Sequence, residues 1–168
     1  MGYVVSQRNP IVDTITCKAW NVVDADGKER IAAFTNPEGQ ASVVLFDKDG
    51  KARIAGATIA EGTAGVQLFD KDGQLRMVAA TLSDGSAGIQ WSDMEGKNRI
   101  NASTYDDGNA GITFYDKNVK SRIGLATLAD GLVGVQLHDK DGKLRIDAST
   151  LADGNVYLPT EDLKPSKP

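Results

Sequence analysis

The sequence predicts an all-β protein, an antiparallel meander of tandem 23-residue β-hairpin repeats. Three observations predict it. Residues of one type recur every 23 positions, Asp-Gly turns separate short extended segments, and no apolar stripe of helical spacing lasts for more than a turn. No insertion interrupts the period, which indicates one supersecondary unit stacked on copies of itself. We therefore expect a solenoid-like or prism-like stack of hairpins.

Four residue types hold a fixed place in every repeat. In steps of 23, Asp recurs from Asp24 to Asp162, Arg from Arg30 to Arg145, Thr from Thr35 to Thr150 and Gly from Gly39 to Gly154. This period predicts a repeat domain over residues 14–162, after a lead-in over residues 1–13. The last six residues, 163–168, have the composition of a flexible C-terminal tail.

One repeat unit contains two short strands and two turns. Residues 47–70 read DKDGKARIAGATIAEGTAGVQLFD, with extended segments at about 52–58 and 64–69. The clusters KDGK and IAEGT separate these segments. Glycine accepts a positive φ without steric cost, and an Asp side chain can bond to nearby backbone N–H groups. Both connections are therefore predicted to be hairpins.

The strand register follows from requiring the apolar side chains to share one face. If Ile54 lies opposite Leu45 on one side and Leu68 on the other, every later pair follows by adding 23. The first row then reads Val22, Ile31, Leu45, Ile54, Leu68, Met77, Trp91, Ile100, Phe114, Ile123, Leu137, Ile146. The second row reads Trp20, Ala33, Val43, Gly56, Val66, Ala79, Ile89, Ala102, Ile112, Leu125, Val135, Ala148, Leu158. The third row alternates Thr with small or β-branched residues, from Thr35 and Ala41 to Thr150 and Val156. We call these three rows the apolar face, and we expect this face to be the core.

The opposite face carries two further rows with their own patterns. Its outermost row alternates Arg with other residues, which predicts exposed cation–π contacts where those residues are aromatic. The residues between the arginines are Phe46, Phe69, Ser92, Tyr115 and His138. A far row at the other edge reads Ala19, Ser42, Ala57, Gly65, Ala80, Gly88, Ser103, Gly111, Ala126, Gly134, Ser149, with nothing larger than Ser. A row this small predicts the close approach of another backbone.

A single sheet of this kind cannot cover its own apolar face. Thirteen strands of about six residues would form a sheet roughly 60 Å across at about 4.8 Å per strand. A closed barrel of that many strands would enclose more volume than Ile, Val and Leu could fill. Three arrangements remain: a homotrimer whose sheets are the walls of a prism, a monomer whose sheet rolls over, and a dimeric sandwich. We expect the trimer.

Two departures from the repeat suggest local changes of structure. Pro159 falls in the last strand, where it removes an N–H group and so blunts the sheet edge against further pairing. The sequence KNVK at residues 117–120 replaces KDGK. Because Asn118 tolerates the left-handed region better than Val119 does, we expect a rearranged turn there.

Composition excludes several classes of partner and location. With 19 basic and 23 acidic residues, the net charge of −4 provides no basic surface for nucleic acid or an anionic membrane. The single Cys17 cannot form an internal disulfide. No apolar run approaches the ~18 residues of a membrane span, and residues 1–10 lack the apolar segment of a signal peptide. We expect a soluble chain made in the cytoplasm, able to assemble into a particle or surface structure.

No residue pattern supports catalysis or a cofactor. His138 is the only histidine and has no recurring Ser or Cys partner, so neither a triad nor a histidine metal site is supported. The DKDG turns at 47, 70 and 139 resemble part of a calcium loop but lack its distant Glu, so turn chemistry explains them and weak calcium binding stays open. Trp20 and Trp91 fall on apolar rows and are interpreted as space-filling. We predict no catalytic, metal or cofactor-binding residues and no enzymatic activity.

The threonine row raises the question of ice binding. Thr recurs only on alternate strands, about 9.6 Å apart. Its hydroxyl can instead satisfy backbone N–H groups at the strand ends. The row is therefore predicted to serve the fold.

The sequence resembles a known repeat type in four of its recurring segments, DADGKERI, DKDGKARI, DKDGQLRM and DKDGKLRI. Each is followed by a second turn and a G-[VI]-x-[LWF] strand. It is similar to the Asp-Gly tandem repeats of uncharacterised bacterial proteins and of phage tail and fibre segments. The entry ITCKAWNVVDADGKERI is similar to the start of such arrays, and the resemblance covers about residues 14–162. It implies homotrimeric β-structure with a structural or receptor-contacting role, and it brings no catalytic residues.

These observations lead to one expected function and one alternative. We expect a non-enzymatic structural protein that forms a β-rich fibre, spacer or adhesive stalk. Its expected partners are further copies of itself and a surface receptor or glycan. The alternative is a monomeric β-repeat module that binds a carbohydrate or protein ligand. Neither membrane insertion nor nucleic-acid binding is expected.

Overall fold

The computed structural model describes residues 15–150 and 153–158, which form one sheet of thirteen antiparallel strands in chain order. The strands are β1 Ala19–Val23, β2 Glu29–Thr35, β3 Ala41–Phe46, β4 Ala52–Thr58, β5 Ala64–Phe69, β6 Leu75–Thr81, β7 Ala87–Ser92, β8 Asn98–Thr104, β9 Ala110–Tyr115, β10 Ser121–Thr127, β11 Val133–His138, β12 Leu144–Thr150 and β13 Val156–Tyr157. The sheet is open, with β1 at one end and β13 at the other. The predicted all-β meander of tandem hairpins is confirmed.

Most of the hairpin turns share one geometry. In the first turn, the Gly27 amide donates to the Asp24 carbonyl at 3.0 Å and the Asp24 amide donates to the Lys28 carbonyl at 2.9 Å. Gly27 has a φ of 77°, in the left-handed region that favours glycine. This is a type I turn followed by a left-handed residue, a common short hairpin connection. The same pair of backbone bonds closes the turns at the opposite edge, for example between Leu82 and Ser86.

The predicted register is confirmed. Ile54 pairs with Leu45 on one side and with Leu68 on the other. The first row continues without a slip to the pair Leu137 and Ile146. The second row is paired as far as Ala148, while Leu158 lies just beyond the two residues of β13.

β-Bulges interrupt the strand pairing at the Asp-Gly turn edge and alter the predicted arginine row. Between Leu45 and Phe46 the register shifts, so that Phe46 pairs with Ala52 and Arg53 is not directly across from the ring. The same shift places Leu144 opposite His138. The predicted row, in which arginines alternate with rings across these turns, is therefore wrong by one position, because each bulge inserts one extra residue into a strand.

The expectation of a rearranged KNVK turn is also wrong. The Val119 amide donates to the Asp116 carbonyl at 2.9 Å, and the Asp116 amide donates to the Lys120 carbonyl at 2.9 Å, as in the glycine-containing turns. Val119 takes the glycine position with a φ of 60°. A β-branched residue is strained in this region, so the flanking strands impose the turn against the local preference of the residue.

A different connection joins β4 to β5. Residues Ala60–Gly62 form a single 3-10 turn in which Glu61 has a φ of 64° and Gly62 a φ of 81°. The Ile59 amide still donates to the Thr63 carbonyl, at 2.7 Å. The hairpin is therefore closed as in the other repeats.

The far row is less uniform than expected. Phe34 lies in it, paired with Ala19 and Ser42, and the Phe34 side chain is 44% exposed. The statement that nothing in this row exceeds Ser is therefore wrong. The expected close approach does occur at several glycines, where the neighbouring strand supplies the backbone. A Cβ on Gly65 would lie 2.9 Å from the Ala79 carbonyl oxygen, and a Cβ on Gly111 would lie 2.9 Å from that of Leu125.

The apolar face is not buried within one chain. Among the described residues, Ala32 is the one buried apolar residue, and it belongs to the opposite face. On the apolar face, Trp20 is 47% exposed, Val66 43% and Leu125 39%. The expected core is thus present as a continuous surface, and a single chain does not cover it.

Several predictions fall outside the described residues. These are the lead-in over residues 1–13, the edge-blunting role of Pro159, the last repeated Asp162 and the tail over residues 163–168.

Candidate interaction surfaces

The apolar face contains a long groove. Its volume is about 1240 Å³, and it crosses the sheet from β3 to β11 over the second and third rows. Large residues such as Val66 and Ile89 alternate along it with small ones such as Gly56 and Ala79. Every lining residue is aliphatic, Gly, Ser or Thr, so no charge lies in the groove. A surface of this composition suits an apolar partner.

The opposite face carries a repeated polar contact at the Asp-Gly turn edge, which we call the Asp–Arg clamp. Asp24 Oδ1 accepts hydrogen bonds from the Asp26 and Lys28 amides, each at 3.0 Å. Asp24 Oδ2 accepts one from Arg30 Nε at 2.9 Å. Arg30 also donates to the Asp47 carbonyl in the next turn. One clamp therefore shapes its own turn and connects it to the following repeat.

The clamp recurs along this edge with small variations. Arg99 contacts Asp93 and donates to the Asp116 carbonyl, while Arg122 donates to Asp116 and to the Lys140 carbonyl at 2.9 Å. Sequence reasoning noted that Asp and Arg repeat in the same step but did not pair them. The signal was their constant separation of six residues.

The clamp holds its carboxylates in the ionised form. The Lys120 amide, with Arg122 and the Asn118 amide, lowers the pKa of Asp116 from 3.8 to about 2 against an opposing effect of desolvation. The Lys143 amide and Arg145 likewise lower the pKa of Asp139 to about 2. These oxygens accept bonds from the protein itself, so their role here is structural. Over residues 15–150 and 153–158, no three His, Cys, Asp or Glu residues lie close enough together to hold a metal ion.

At the other edge, threonines make isolated contacts. The Ala41 amide donates to Thr58 Oγ1 at 3.1 Å, and the Val133 amide donates to Thr150 Oγ1 at 3.0 Å. The predicted role of the threonine hydroxyls at strand ends is confirmed at these two positions. We call this edge the threonine edge.

The aromatic and histidine candidates occupy different faces. Trp20 and Trp91 lie on the apolar rows as predicted, and both are partly open to solvent in a single chain. His138 is half-buried on the opposite face. Its Nδ1 atom is shielded from solvent and has no hydrogen-bond partner in the described part of the chain.

A second cavity lies on the opposite face between β8 and β12. Its volume is about 740 Å³, and polar residues of the middle row of this face line it: Asn101, Thr113, Gln136 and Asp147, with Gly124 at the centre. Sequence reasoning did not consider this row. The signal was a change at one repeat position, which is Ala55, then Val78, Asn101, Gly124 and Asp147 along the chain.

No helical segment in the described residues is long and apolar enough to cross a membrane.

Comparison with known proteins identifies no family. No protein-family model and no curated protein matches the chain. Among solved structures, the chain is similar to the TCP domain of SAS-4 from Drosophila melanogaster, solved in complex with a proline-rich motif of Ana2. The identity is 15%, the TM-score is 0.24, and the match covers 92% of this chain and 97% of that one. At this TM-score the likeness carries no argument about fold or function.

Proposed function

We propose that this chain is a non-enzymatic structural repeat protein whose copies associate through the apolar face as a homotrimer. The assembly would serve as a fibre, spacer or adhesive stalk. The observation that carries the proposal is the apolar face itself: three uncharged rows run the length of the sheet and remain open in one chain. Exposed apolar patches of this extent are typical of interaction surfaces.

The size of the face is sufficient for stable association. Thirteen strands at about 4.8 Å spacing and about 20 Å length give a face of roughly 1200 Å². A stable protein interface needs about 800 Å² from each partner. One apolar face therefore offers enough area for a permanent contact.

A second copy of the same chain is the partner that the pattern fits best. Large and small residues alternate along most of the second row, for example Val66, Ala79 and Ile89. Leu125 interrupts the alternation between Ile112 and Val135. Alternating large and small residues allow side chains from identical faces to interdigitate in layers. Three such faces enclose a prism and leave no apolar edge bare. The outward faces of the trimer stay free to contact a surface receptor or glycan.

The test is the mass of the protein in solution. Light scattering should give three times the 17.8 kDa chain mass, about 53 kDa. Ile89→Lys, which places a charge in the groove, should dissociate the assembly. Gln90→Lys is the matched control, because Gln90 is the next residue and points to the opposite face.

Two results would contradict this proposal. A folded monomer of the unaltered chain would favour the alternative, a monomeric module for a carbohydrate or protein ligand, which the polar cavity supports. A mass of about twice 17.8 kDa would replace the trimer with a dimeric sandwich. Circular dichroism of each variant confirms that dissociation, and not unfolding, is measured.

A further inference from the structure

The polar cavity on the opposite face contains side chains that the fold does not use. Its middle row crosses β8 to β12 in the order Asn101, Thr113, Gly124, Gln136, Asp147, each paired with the next. Within the described residues, Thr113, Gln136 and Asp147 make no side-chain hydrogen bond, although Thr113 and Asp147 are half-buried. Half-buried polar groups that lack protein partners are available to bond a ligand.

Gly124 leaves space at the centre of this row without a structural need for glycine. Its φ is not in the left-handed region, and a Cβ there would have ordinary contact, 3.9 Å, with Gln136 Cβ. At the same place in earlier repeats the chain has Ala55, Val78 and Asn101. A side chain would thus fit at residue 124, and the glycine keeps the floor of the cavity open. The cavity volume of about 740 Å³ lies within the range of small-molecule sites.

The lining selects the chemical class of the ligand. It includes no Lys, Arg or His, and its ionisable groups include the carboxylates of Asp107 and Asp147, so an anionic ligand is disfavoured. An apolar ligand would leave the amides and hydroxyls of the row without partners. Amide, hydroxyl and carboxylate groups in a line suit a chain of hydroxyl groups, which both donate and accept. Tyr105, 51% exposed, adds an aromatic ring to the lining.

We propose that the cavity formed by β8 to β12 binds a neutral, linear oligosaccharide, which lies along the Asn101 to Asp147 row. Amides of Asn101 and Gln136 and the carboxylate of Asp147 hold hydroxyl groups, and the glycine at 124 makes room for a sugar ring. This proposal does not depend on trimer formation, because the Asn101 to Asp147 row lies on the face opposite the apolar rows.

The experiment is calorimetric titration of the full chain with maltotetraose, cellotetraose and chitotetraose, and with tetragalacturonic acid as the acidic comparison. At least one neutral tetrasaccharide should bind in a saturable manner, and the acidic one should not. Gln136→Ala should weaken that binding about tenfold, the effect of one lost hydrogen bond to a ligand. Gln67→Ala is the matched control and should change nothing, because Gln67 holds the same repeat position three repeats earlier, outside the cavity.

Gly124→Val provides an independent readout. The valine side chain should occupy the floor of the cavity and abolish binding, while the melting temperature stays the same or rises, because valine suits a strand better than glycine. Light scattering should give the same mass as for the unaltered chain, which separates this site from self-association. The proposal is overturned if no neutral tetrasaccharide binds, if Gly124→Val binds normally, or if tetragalacturonic acid binds equally well. Displacement of the bound sugar by an extended peptide would reassign the row to peptide binding.

Discussion

The two edges of the sheet use the same backbone turn but connect the repeats differently. At the clamp edge, an Asp carboxylate binds two turn amides and an Arg, and that Arg reaches the carbonyl of the next turn. At the threonine edge, Asp130 Oδ1 accepts from the Leu132 amide at 3.1 Å, and contacts between repeats are occasional. Turn geometry alone therefore does not hold one repeat to the next. The clamp provides this coupling at one edge.

The largest difference is expected between two Asp substitutions. Asp116→Ala removes the acceptor for the Asn118 and Lys120 amides and leaves Arg122 without its carboxylate. Asp130→Ala at the threonine edge removes one acceptor. The melting temperature should fall by several times more for Asp116→Ala, measured by differential scanning calorimetry. Equal losses would show that the clamp adds nothing to the turn.

Acid should weaken the clamp edge selectively. The clamp lowers the pKa of Asp116 and Asp139 from 3.8 to about 2 in the folded chain. A lowered folded pKa contributes stability above the unfolded value, and this contribution is lost as pH falls from about 4 through about 2. The melting temperature should therefore decline over that range. Asp116→Ala should show a shallower decline, and an unchanged slope would remove Asp116 from the explanation.

Val119 allows the free-energy cost of a non-glycine residue at the left-handed turn position to be measured. Val119→Gly should raise the free energy of unfolding by about 1 kcal/mol, because it relieves a β-branched residue at a φ of 60°. The converse variant, Gly96→Val, occupies the same position one repeat earlier, where φ is 75°, and should lose about 1–2 kcal/mol. Denaturant midpoints test both. A stable Gly96→Val would mean that the turns do not need a left-handed residue.

The smallest effect is expected at the threonine edge. Thr58→Val removes the acceptor of the Ala41 amide and should cost about 0.5 kcal/mol, the lower range for one neutral hydrogen bond. Thr127→Val is the control, because the Thr127 hydroxyl forms no hydrogen bond with any residue that the structure describes. If Thr58→Val were as harmful as Asp116→Ala, the distinction between the edges would be lost.

The strand register could be predicted from the sequence because only one register places the apolar rows on the same face. A slip of a single residue would have moved Leu45 and Ile54 to opposite faces. The turns at Val119 and the clamps were harder to predict. At Val119 the flanking strands override a local preference, and in the clamp the Asp and Arg meet across a bulge, which no alternation pattern reveals.

The two candidate surfaces were predictable to different degrees. The uncovered apolar face was anticipated from the number of strands and the composition of the rows. The polar cavity was not, because it depends on a missing side chain at Gly124. A change from Val78 to Asn101 to Gly124 at one repeat position was the available signal.

The uniform pairing of successive repeats, joined by the contacts from Arg30, Arg99 and Arg122 to the following turns, has a consequence for the length of the protein. Because the strands of successive repeats pair in the same register, one 23-residue unit can be removed, for example residues 70–92, and Phe69 then meets Asp93 at the start of an equivalent turn. Such a chain would keep both faces aligned and would be shorter by two strand spacings, about 9.6 Å. The length of the sheet is therefore set by the number of repeats, in steps of one repeat.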